Sequence, residues 1–317
     1  MYGRVEKENN AKLKMEQKLK DLPKIFHDFY IWMDVREKSF TTMRNYINHT
    51  IEFMNFLYDN NQNENFYEQV TDLDIERYMM YIRNKQVGDD IRAAKWSSLN
   101  TFFKFLMQKK YINKNPMLLT ERPRIKTTHE IVYLTKQEID SIFDSVRRNS
   151  RQMTKNRDLC IIALALSTGL RVSAIVNINI EDIDFKNNNI KVIEKGRKIR
   201  KIDFSDHLRE IIAIWLKDRE LYYSDSTTGA LFLSQLKNRI SVDAVEKLVT
   251  KYTNHISKKI TPHKFRSSAA MNLRSAGIDV ITIASILGHE NITTTQRYIK
   301  AYDEDKQKAT KILDNLI

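Results

Sequence analysis

Apolar residues recur at steps of three and four along the first third of the chain, which is the spacing of amphipathic helices. The longest such stretch runs from Phe40 to Tyr58, and Ser39 is placed to cap its start. Two more helices are predicted, one beginning after Thr71 and one near Asp90. We interpret their aromatic side chains as core residues, so this part of the chain is predicted to be a small all-helical domain.

The periodic pattern stops between Leu119 and Val132, where charged residues, threonines and Pro123 follow one another. Such composition is typical of an exposed linker between domains. The pattern therefore predicts five segments: a charged N-terminal leader (1–20), a helical domain (21–118), a linker (119–132), a second domain (133–300) and a C-terminal tail helix (301–317).

The second domain begins with Thr135 and Glu138 at the spacing of a capping box. A wholly apolar run, Leu159 to Leu166, predicts a buried helix, and alternating apolar and charged residues around Lys195-Gly196 predict a β-hairpin. The fold class is therefore mainly α with a small β-sheet. Further helices are predicted at 206–222, 242–256, 263–276, 280–287 and 294–300.

Composition excludes several classes of protein. Among 317 residues there are 7 glycines and 4 prolines, too few for a turn-rich fold or for glycine-rich nucleotide loops. Cys160 is the single cysteine, which excludes an intrachain disulfide and a cysteine-built metal site. The longest apolar run is far shorter than the roughly 20 residues of a membrane span, and the charged N-terminus does not resemble a signal peptide. A cytoplasmic location is expected.

The charge is strongly and unevenly positive. Its net value is +13, and +10 of this falls in residues 121–317. A basic surface with a sequence pI near 9.5 indicates a polyanionic partner, which is most often nucleic acid and less often an anionic membrane surface.

One candidate anion site lies where Thr261-Pro262-His263 predicts the start of a helix. His263 and Arg266 are then one turn apart and can reach the same anion, and the positive end of the helix dipole lies beneath them. A phosphate is the ligand that this arrangement favours. A solvated helix face with no ligand would explain the same pair of residues.

Four other residues could take part in the chemistry. Arg171 follows a turn after the buried helix, Lys195 lies at the hairpin tip, and His289 lies just beyond a helix closed by a glycine. Tyr298 is predicted about one turn into a short helix. Tyr302 is on the same face of that helix and is the alternative to Tyr298.

The order and spacing of these residues resemble the tyrosine recombinases, or phage-type integrases, of two-domain, Xer-like layout. The resemblance covers roughly residues 20–305 and rests on four strings: SSLNTFFKFLMQKKYINKNP, STGLRVSAIVNINIEDID, VIEKGRKIRKIDF and TPHKFRSSAAMNLRSAGIDVITIASILGHENITTTQRYI. It implies an all-helical core DNA-binding domain followed by an α+β catalytic domain.

The resemblance also implies an activity, namely metal-independent cleavage and rejoining of DNA through a 3′-phosphotyrosyl intermediate. The implied catalytic residues are Arg171, Lys195, His263, Arg266, His289 and the nucleophile Tyr298. The implied partners are double-stranded DNA recombination sites, with a homotetramer acting on two of them in the nucleoid. No cofactor, metal, membrane or small-molecule substrate is expected.

The biological outcome is less defined than the chemistry. Integration and excision of a mobile element is the favoured interpretation, with resolution of chromosome or plasmid dimers as the alternative. A type IB topoisomerase or telomere resolvase would use a similar residue set, and a catalytically silent DNA-binding relative would bind without cutting.

Two positions depart from the pattern of the family. Ala174 stands where relatives usually carry an acidic residue, which could leave Arg171 less firmly oriented. Ser267 stands where a histidine is common. In addition, Lys198 is close enough to Lys195 to compete with it for the role of general acid.

Overall fold

The computed structural model describes residues 12–58, 65–125, 132–193 and 199–288. The chain divides into two units, 2–128 and 129–317. In the four described ranges, no helix combines the length and the apolar character needed to cross a bilayer.

The first unit is built of helices. Its elements are α1 (12–20), α2 (Lys24–Asp34), α3 (Phe40–Tyr58), α4 (Asp72–Asn84), α5 (Asp89–Gln108) and a 3₁₀ turn at Pro116–Leu119. The predicted starts of α3 and α4 are confirmed. Ser39 Oγ accepts a hydrogen bond from the Thr42 amide, and Thr71 forms a reciprocal capping box with Asp74.

Aromatic rings fill the centre of this unit. The Phe102 ring lies 5.1 Å from that of Phe29, 5.9 Å from Phe66 and 6.1 Å from Phe26, measured between centroids. Phe103 and Phe105 are buried with it, so the interpretation of these aromatics as core residues is confirmed. Ring pairs at such distances add stabilisation beyond the area that they bury.

Part of the segment predicted as a charged leader belongs to this core. Residues 12–20 are helical, and Met15 and Leu19, four residues apart, are buried in the aromatic cluster. This helix was not predicted, because its apolar face consists of only two residues among many charged ones. Residues 1–11 of the predicted leader lie outside the described ranges.

The second unit combines helices with one small sheet. Its elements are α6 (Lys136–Asn149), α7 (Gln152–Thr168), α8 (Val172–Asn177), β1 (Ile183–Asp184), β2 (Asn189–Ile193), β3 (Ile199–Asp203), α9 (Asp206–Tyr223), α10 (Val242–Thr253), α11 (Pro262–Ser275) and α12 (Val280–Leu287). The capping box of Thr135 and Glu138 opens α6 as predicted. Helix α7 contains the predicted buried run, and α9 and α11 pack against it.

The three strands form an antiparallel sheet in the order β1-β2-β3. The two strands of the predicted hairpin are confirmed: Lys191 pairs with Lys201, and Val192 pairs with Arg200. The tip of the hairpin, 194–198, lies outside the described ranges.

A buried polar network holds α7 in place. Asp158 accepts hydrogen bonds of 2.7 Å from the Arg157 guanidinium and from the Tyr252 hydroxyl on α10, and Arg157 also donates to the Leu233 carbonyl. Burial, together with the nearby Asp158 carboxylate, raises the pKa of Tyr252, so the phenol keeps its proton and donates it. This network fixes the helix whose end leads to Arg171.

Candidate active site

The turn after α7 presents Arg171 from a fixed support. Gly169, at φ +61°, closes the helix, and its amide donates to the Ala165 carbonyl at 3.1 Å. The Thr168 hydroxyl donates to the Leu164 carbonyl and accepts from the Leu170 amide. Arg171 then caps α8 through its backbone, and its side chain is exposed. A rigid turn therefore carries an exposed guanidinium, as the sequence predicts.

Gly169 also brings α7 and α12 into direct contact. A Cβ atom at this position would lie 2.4 Å from Leu287 Cδ2 and 3.4 Å from the Ala269 Cβ. The lack of a side chain is thus required twice, by the positive φ and by the close approach of Leu287.

Helix α11 begins as predicted, with Thr261 before it and Pro262 at its first position, but the Thr261 side chain makes no capping hydrogen bond. His263 in the first turn is exposed. Arg266, one turn later, is buried with only 2% of its surface accessible. A solvated helix face therefore cannot account for Arg266.

The Arg266 guanidinium bridges two other segments of the unit. Its Nη1 donates to the Gly169 carbonyl at 2.8 Å, and its Nη2 donates to the Leu287 carbonyl at 2.7 Å. These two bonds join α11 to the turn that carries Arg171 and to the end of α12. Hydrogen bonds that involve a charged donor are stronger than those between neutral groups.

Helix α12 is fixed at both ends. Asp279 Oδ1 accepts from the amides of Ile281 and Thr282, and Gly288, at φ +66°, closes the helix as predicted. Its last carbonyls accept from arginines of two other elements: Leu287 from Arg266, and Ile286 from Arg200 of β3. Cationic donors at this end complement the negative end of the helix dipole.

The Arg266–Gly169 bond joins α11 to the turn that leads to Arg171. Arg171, His263 and Arg266, three of the six predicted site residues, therefore lie on directly connected segments. The other three, Lys195, His289 and Tyr298, lie outside the described ranges. So do the competing Lys198 and Tyr302, the predicted helix 294–300 and the predicted tail helix 301–317. The contact of Arg200 with α12 is not visible in the sequence, because the periodicity of a strand does not show which residues its side chains contact.

The two departures from the family pattern lie in packed surroundings. Ala174, in α8, is buried. Ser267 is also buried, and its hydroxyl donates to the His263 carbonyl at 3.3 Å. The neighbouring Ser268 accepts from the Leu134 amide at 2.8 Å, which ties the start of the second unit to α11.

Comparison with known proteins identifies the family. Residues 132–305 match the phage integrase family. The chain belongs to that family. The predicted family, the tyrosine recombinases of phage-integrase type, is thereby confirmed, together with the class of enzyme.

Relatives match both units. The chain is 37% identical over 242 residues to the tyrosine recombinase XerC of Caldanaerobacter subterraneus subsp. tengcongensis, a match that covers 74% of this chain and 66% of that protein. It is 28% identical over 294 residues to the tyrosine recombinase XerC of Syntrophus aciditrophicus, covering 87% of this chain and 93% of that protein.

Solved structures share the fold. The XerH site-specific recombinase, in a post-cleavage complex with a palindromic difH substrate, aligns with a TM-score of 0.73 at 17% identity, covering 88% of this chain and 82% of that one. A lambda integrase dimer bound to a core site aligns with a TM-score of 0.66 at 17% identity, covering 85% of this chain and 95% of that one. The predicted fold class, mainly α with a small sheet, is confirmed.

Proposed function

We propose that this protein is a site-specific recombinase that cleaves and rejoins double-stranded DNA through a 3′-phosphotyrosyl intermediate. The main support is the position of the Arg266 guanidinium, which is buried between the Gly169 and Leu287 carbonyls. Those two bonds connect three segments to one guanidinium: the turn that leads to Arg171, helix α11, which carries His263 in its first turn, and the end of α12, after which His289 follows in the sequence.

The surroundings of the Arg266 guanidinium suit a phosphodiester that is attacked by a nucleophile. As the phenolic oxygen approaches phosphorus, negative charge gathers on the non-bridging oxygens, and preorganised donors aimed at that charge stabilise the transition state. Arg171 supplies an exposed guanidinium. Arg266 supplies a positive charge in a buried setting, where electrostatic interactions are stronger than in water.

Proton transfers complete the proposed reaction. The Tyr298 hydroxyl, whose ordinary pKa is about 10, gives its proton to His263 as its oxygen bonds to phosphorus. The bond from phosphorus to the 5′ oxygen breaks, and Lys195 gives a proton to that oxygen, with Lys198 as the competing donor. His289 donates a hydrogen bond to the phosphate. The phosphotyrosyl link keeps the bond energy for rejoining to another strand.

The proposed partner is duplex DNA, bound by the helical unit and the catalytic unit. Lysine and arginine contacts to phosphates would make this binding strongly dependent on salt. We propose a homotetramer acting on two DNA sites, with the tail 301–317 as a docking segment between protomers, in the cytoplasm at the nucleoid.

The proposed biological role is integration or excision of a mobile element. Resolution of chromosome or plasmid dimers is the second candidate, and it is favoured by the matches to proteins named XerC. Both roles use the same chemistry and differ in where the DNA sites lie.

A covalent-trapping experiment tests the proposal. Nicked suicide duplexes from the DNA that flanks the gene, and others from distant chromosomal sites, would be incubated with the protein in EDTA and run on a denaturing gel beside Tyr298→Phe. We expect an adduct shifted by one protein mass in the wild type alone. Adducts on flanking DNA would support the mobile-element role, and adducts only on distant chromosomal sites would support dimer resolution. Salt-sensitive binding without an adduct would contradict the recombinase and indicate a silent DNA-binding relative.

A further inference from the structure

A group of basic side chains lies where α6 ends and α7 begins. The stretch 145–157 contains five basic residues and no acidic one. Three of the five have no carboxylate partner in the part of the chain that the structure describes, and we call these three the basic corner: Arg148, Arg151 and Lys155. Arg148 and Arg151 are exposed, and Lys155 is half-buried.

The charges around the basic corner do not neutralise it. The carboxylate of Asp144 pairs with Arg147 at 2.8 Å. Helix α10 borders the corner, because Lys251 Nζ donates to the Asn149 carbonyl at 2.8 Å. The neighbouring face of α10 carries two acidic and two basic residues, namely Asp243, Glu246, Lys247 and Lys251. The net positive charge of this surface therefore comes from the corner.

The start of α7 is an unfavourable place for two of these cations. Arg151 is the N-cap residue and its side chain makes no capping hydrogen bond, Lys155 lies four residues later, and the first turn has no acidic residue. The N-terminal end of a helix carries the positive end of the helix dipole and favours negative charge. Helix α9 has the usual arrangement, with Ser205 as its cap and Asp206 in its first turn. An anion beside the basic corner would relieve this repulsion.

The basic corner is remote from the proposed active site. Helix α7 has 17 residues, and Arg171 follows its other end. At 1.5 Å per residue, about 25 Å separate the two ends of the helix. The Debye length at physiological ionic strength is about 8 Å, so a phosphate held at Arg171 is screened from the charges of the corner. The partner of the corner is therefore a separate anionic group.

The composition of the corner favours phosphates over a protein surface. The cores of protein interfaces are depleted in charged residues and enriched in aromatic ones. In the stretch 145–157, Met153 is the one large apolar side chain that is exposed. Guanidinium groups bind phosphate oxygens in a bidentate manner. We propose that the basic corner binds the phosphate backbone of a second DNA segment, without preference for base sequence. One protomer then holds two DNA segments, one at each end of α7.

The test asks whether a protomer that already holds DNA binds a second duplex. The protein would be joined to a biotinylated suicide duplex as the covalent adduct and immobilised. A fluorescent duplex of unrelated sequence would then be added over a range of salt concentrations. Because the active site of the adduct is occupied, capture of the fluorescent duplex reports on another surface.

Two double variants would be compared with the wild type. The corner variant combines Arg151→Gln with Lys155→Gln. The control variant combines Lys186→Gln with Arg209→Gln, which removes two exposed cations from the same unit. Arg209 is the matched residue for Lys155, because each occupies the fourth position of its helix.

We expect the wild-type and control adducts to capture the second duplex, and the corner variant to bind it at least about tenfold more weakly. Each phosphate contact contributes about 0.9 to the slope of log affinity against log salt, so the slope should be smaller by about two in the corner variant. Adduct formation should be unchanged in both variants, because the corner is screened from the active site. Without DNA, the thermal midpoint of the corner variant should equal or exceed that of the wild type, since the substitutions remove cations from a helix N-terminus.

Four outcomes would overturn the proposal. Undiminished capture by the corner variant would exclude this surface, and an equal loss in the control would reduce the effect to net charge. A lower thermal midpoint in the corner variant would give its cations a structural role. If poly-L-glutamate displaced the second duplex as effectively as unlabelled DNA of equal charge, the surface would suit an acidic protein.

The proposed function and this proposal fail in different ways. A wild type that forms no adduct would contradict the recombinase chemistry and leave the basic corner open to a direct test. In that test, free protein would be saturated with a short duplex of unrelated sequence. Wild type and control should bind one more duplex per protomer than the corner variant, and equal stoichiometry in all three would overturn the proposal.

Discussion

Arg266 Nη2 donates a hydrogen bond of 2.7 Å to the carbonyl oxygen of Leu287, so a proposed catalytic arginine on α11 also binds the last turn of α12. Together with the bond to Gly169, this gives Arg266 two tasks, one in the chemistry and one in holding the site together.

Arg266→Lys should therefore lower both activity and stability. Loss of a donor that stabilises the developing charge should slow cleavage about 10²–10³-fold. Loss of the two-carbonyl bridge should lower the thermal midpoint, because each buried carbonyl left unsatisfied costs about 1–3 kcal/mol. Arg171→Ala is the comparison: loss of its exposed guanidinium should cost a similar factor in cleavage rate and lower the free energy of unfolding less than Arg266→Lys does. A normal cleavage rate in Arg266→Lys would contradict the proposed catalytic role of Arg266.

Gly169→Ala should destabilise the protein more than Gly277→Ala. Both glycines have positive φ, which costs an alanine about 1–2 kcal/mol. A Cβ at Gly277 meets no atom within 4 Å, whereas one at Gly169 lies 2.4 Å from Leu287 Cδ2. Urea unfolding of both variants measures the difference. In a double-mutant cycle, Gly169→Ala should cost less in the Leu287→Ala background than in the wild type, because the clashing side chain is absent. Equal effects of the two glycine substitutions would contradict the close contact.

Tyr298→Phe should abolish the covalent adduct and leave DNA affinity within about twofold, because the hydroxyl takes part in bond formation and not in positioning. Trapping on suicide duplexes and salt titration of binding measure the two properties. Tyr302→Phe should keep the adduct. If Tyr298→Phe formed the adduct and Tyr302→Phe did not, the nucleophile would be Tyr302.

His49 should make the helical unit sensitive to mild acid. Burial and the nearby Lys95 cation lower the pKa of His49, and its Nδ1 lies 2.8 Å from Ser98 Oγ. Because the folded state holds the ring neutral while the unfolded ring titrates near 6.5, stability is lost as the pH falls below about 6.5 toward the lowered pKa. The free energy of unfolding should therefore fall less between pH 7 and pH 5 in His49→Gln than in the wild type. Parallel pH profiles for the two proteins would exclude this role.

Local signals in the sequence predicted much of the fold. The helix start at Thr71, the capping box at Thr135 and the closing Gly288 depend on neighbouring residues, and each has the predicted role. Helix α2 is not marked by a capping side chain, since Pro23 precedes it, although its buried residues Ile25, Phe26, Phe29 and Met33 keep helical spacing. Helix α8 is only 6 residues long, too short for a period to be read.

The candidate site was predictable in its residue types but not in its contacts. The spacing of His263 and Arg266 pointed to a shared anion, and the structure places His263 at the surface and Arg266 in the interior. Arg200 was indistinguishable from the other basic residues of the hairpin. The carbonyls that Arg266 and Arg200 bind belong to residues 21 to 97 positions away, and no local pattern carries that information.

The bonds that Arg266 and Arg200 make to the last turn of α12 also set the moment at which the enzyme can become active during its synthesis. Arg266 must meet a carbonyl made 97 residues earlier and another made 21 residues later, and Arg200 waits for a carbonyl 86 residues later. Because a chain leaves the ribosome from its N-terminus, the first unit can fold while Arg266 and Arg200 still lack their partners on α12. A nascent chain that has not yet produced α12 therefore cannot assemble this site, even if its helical unit has already formed.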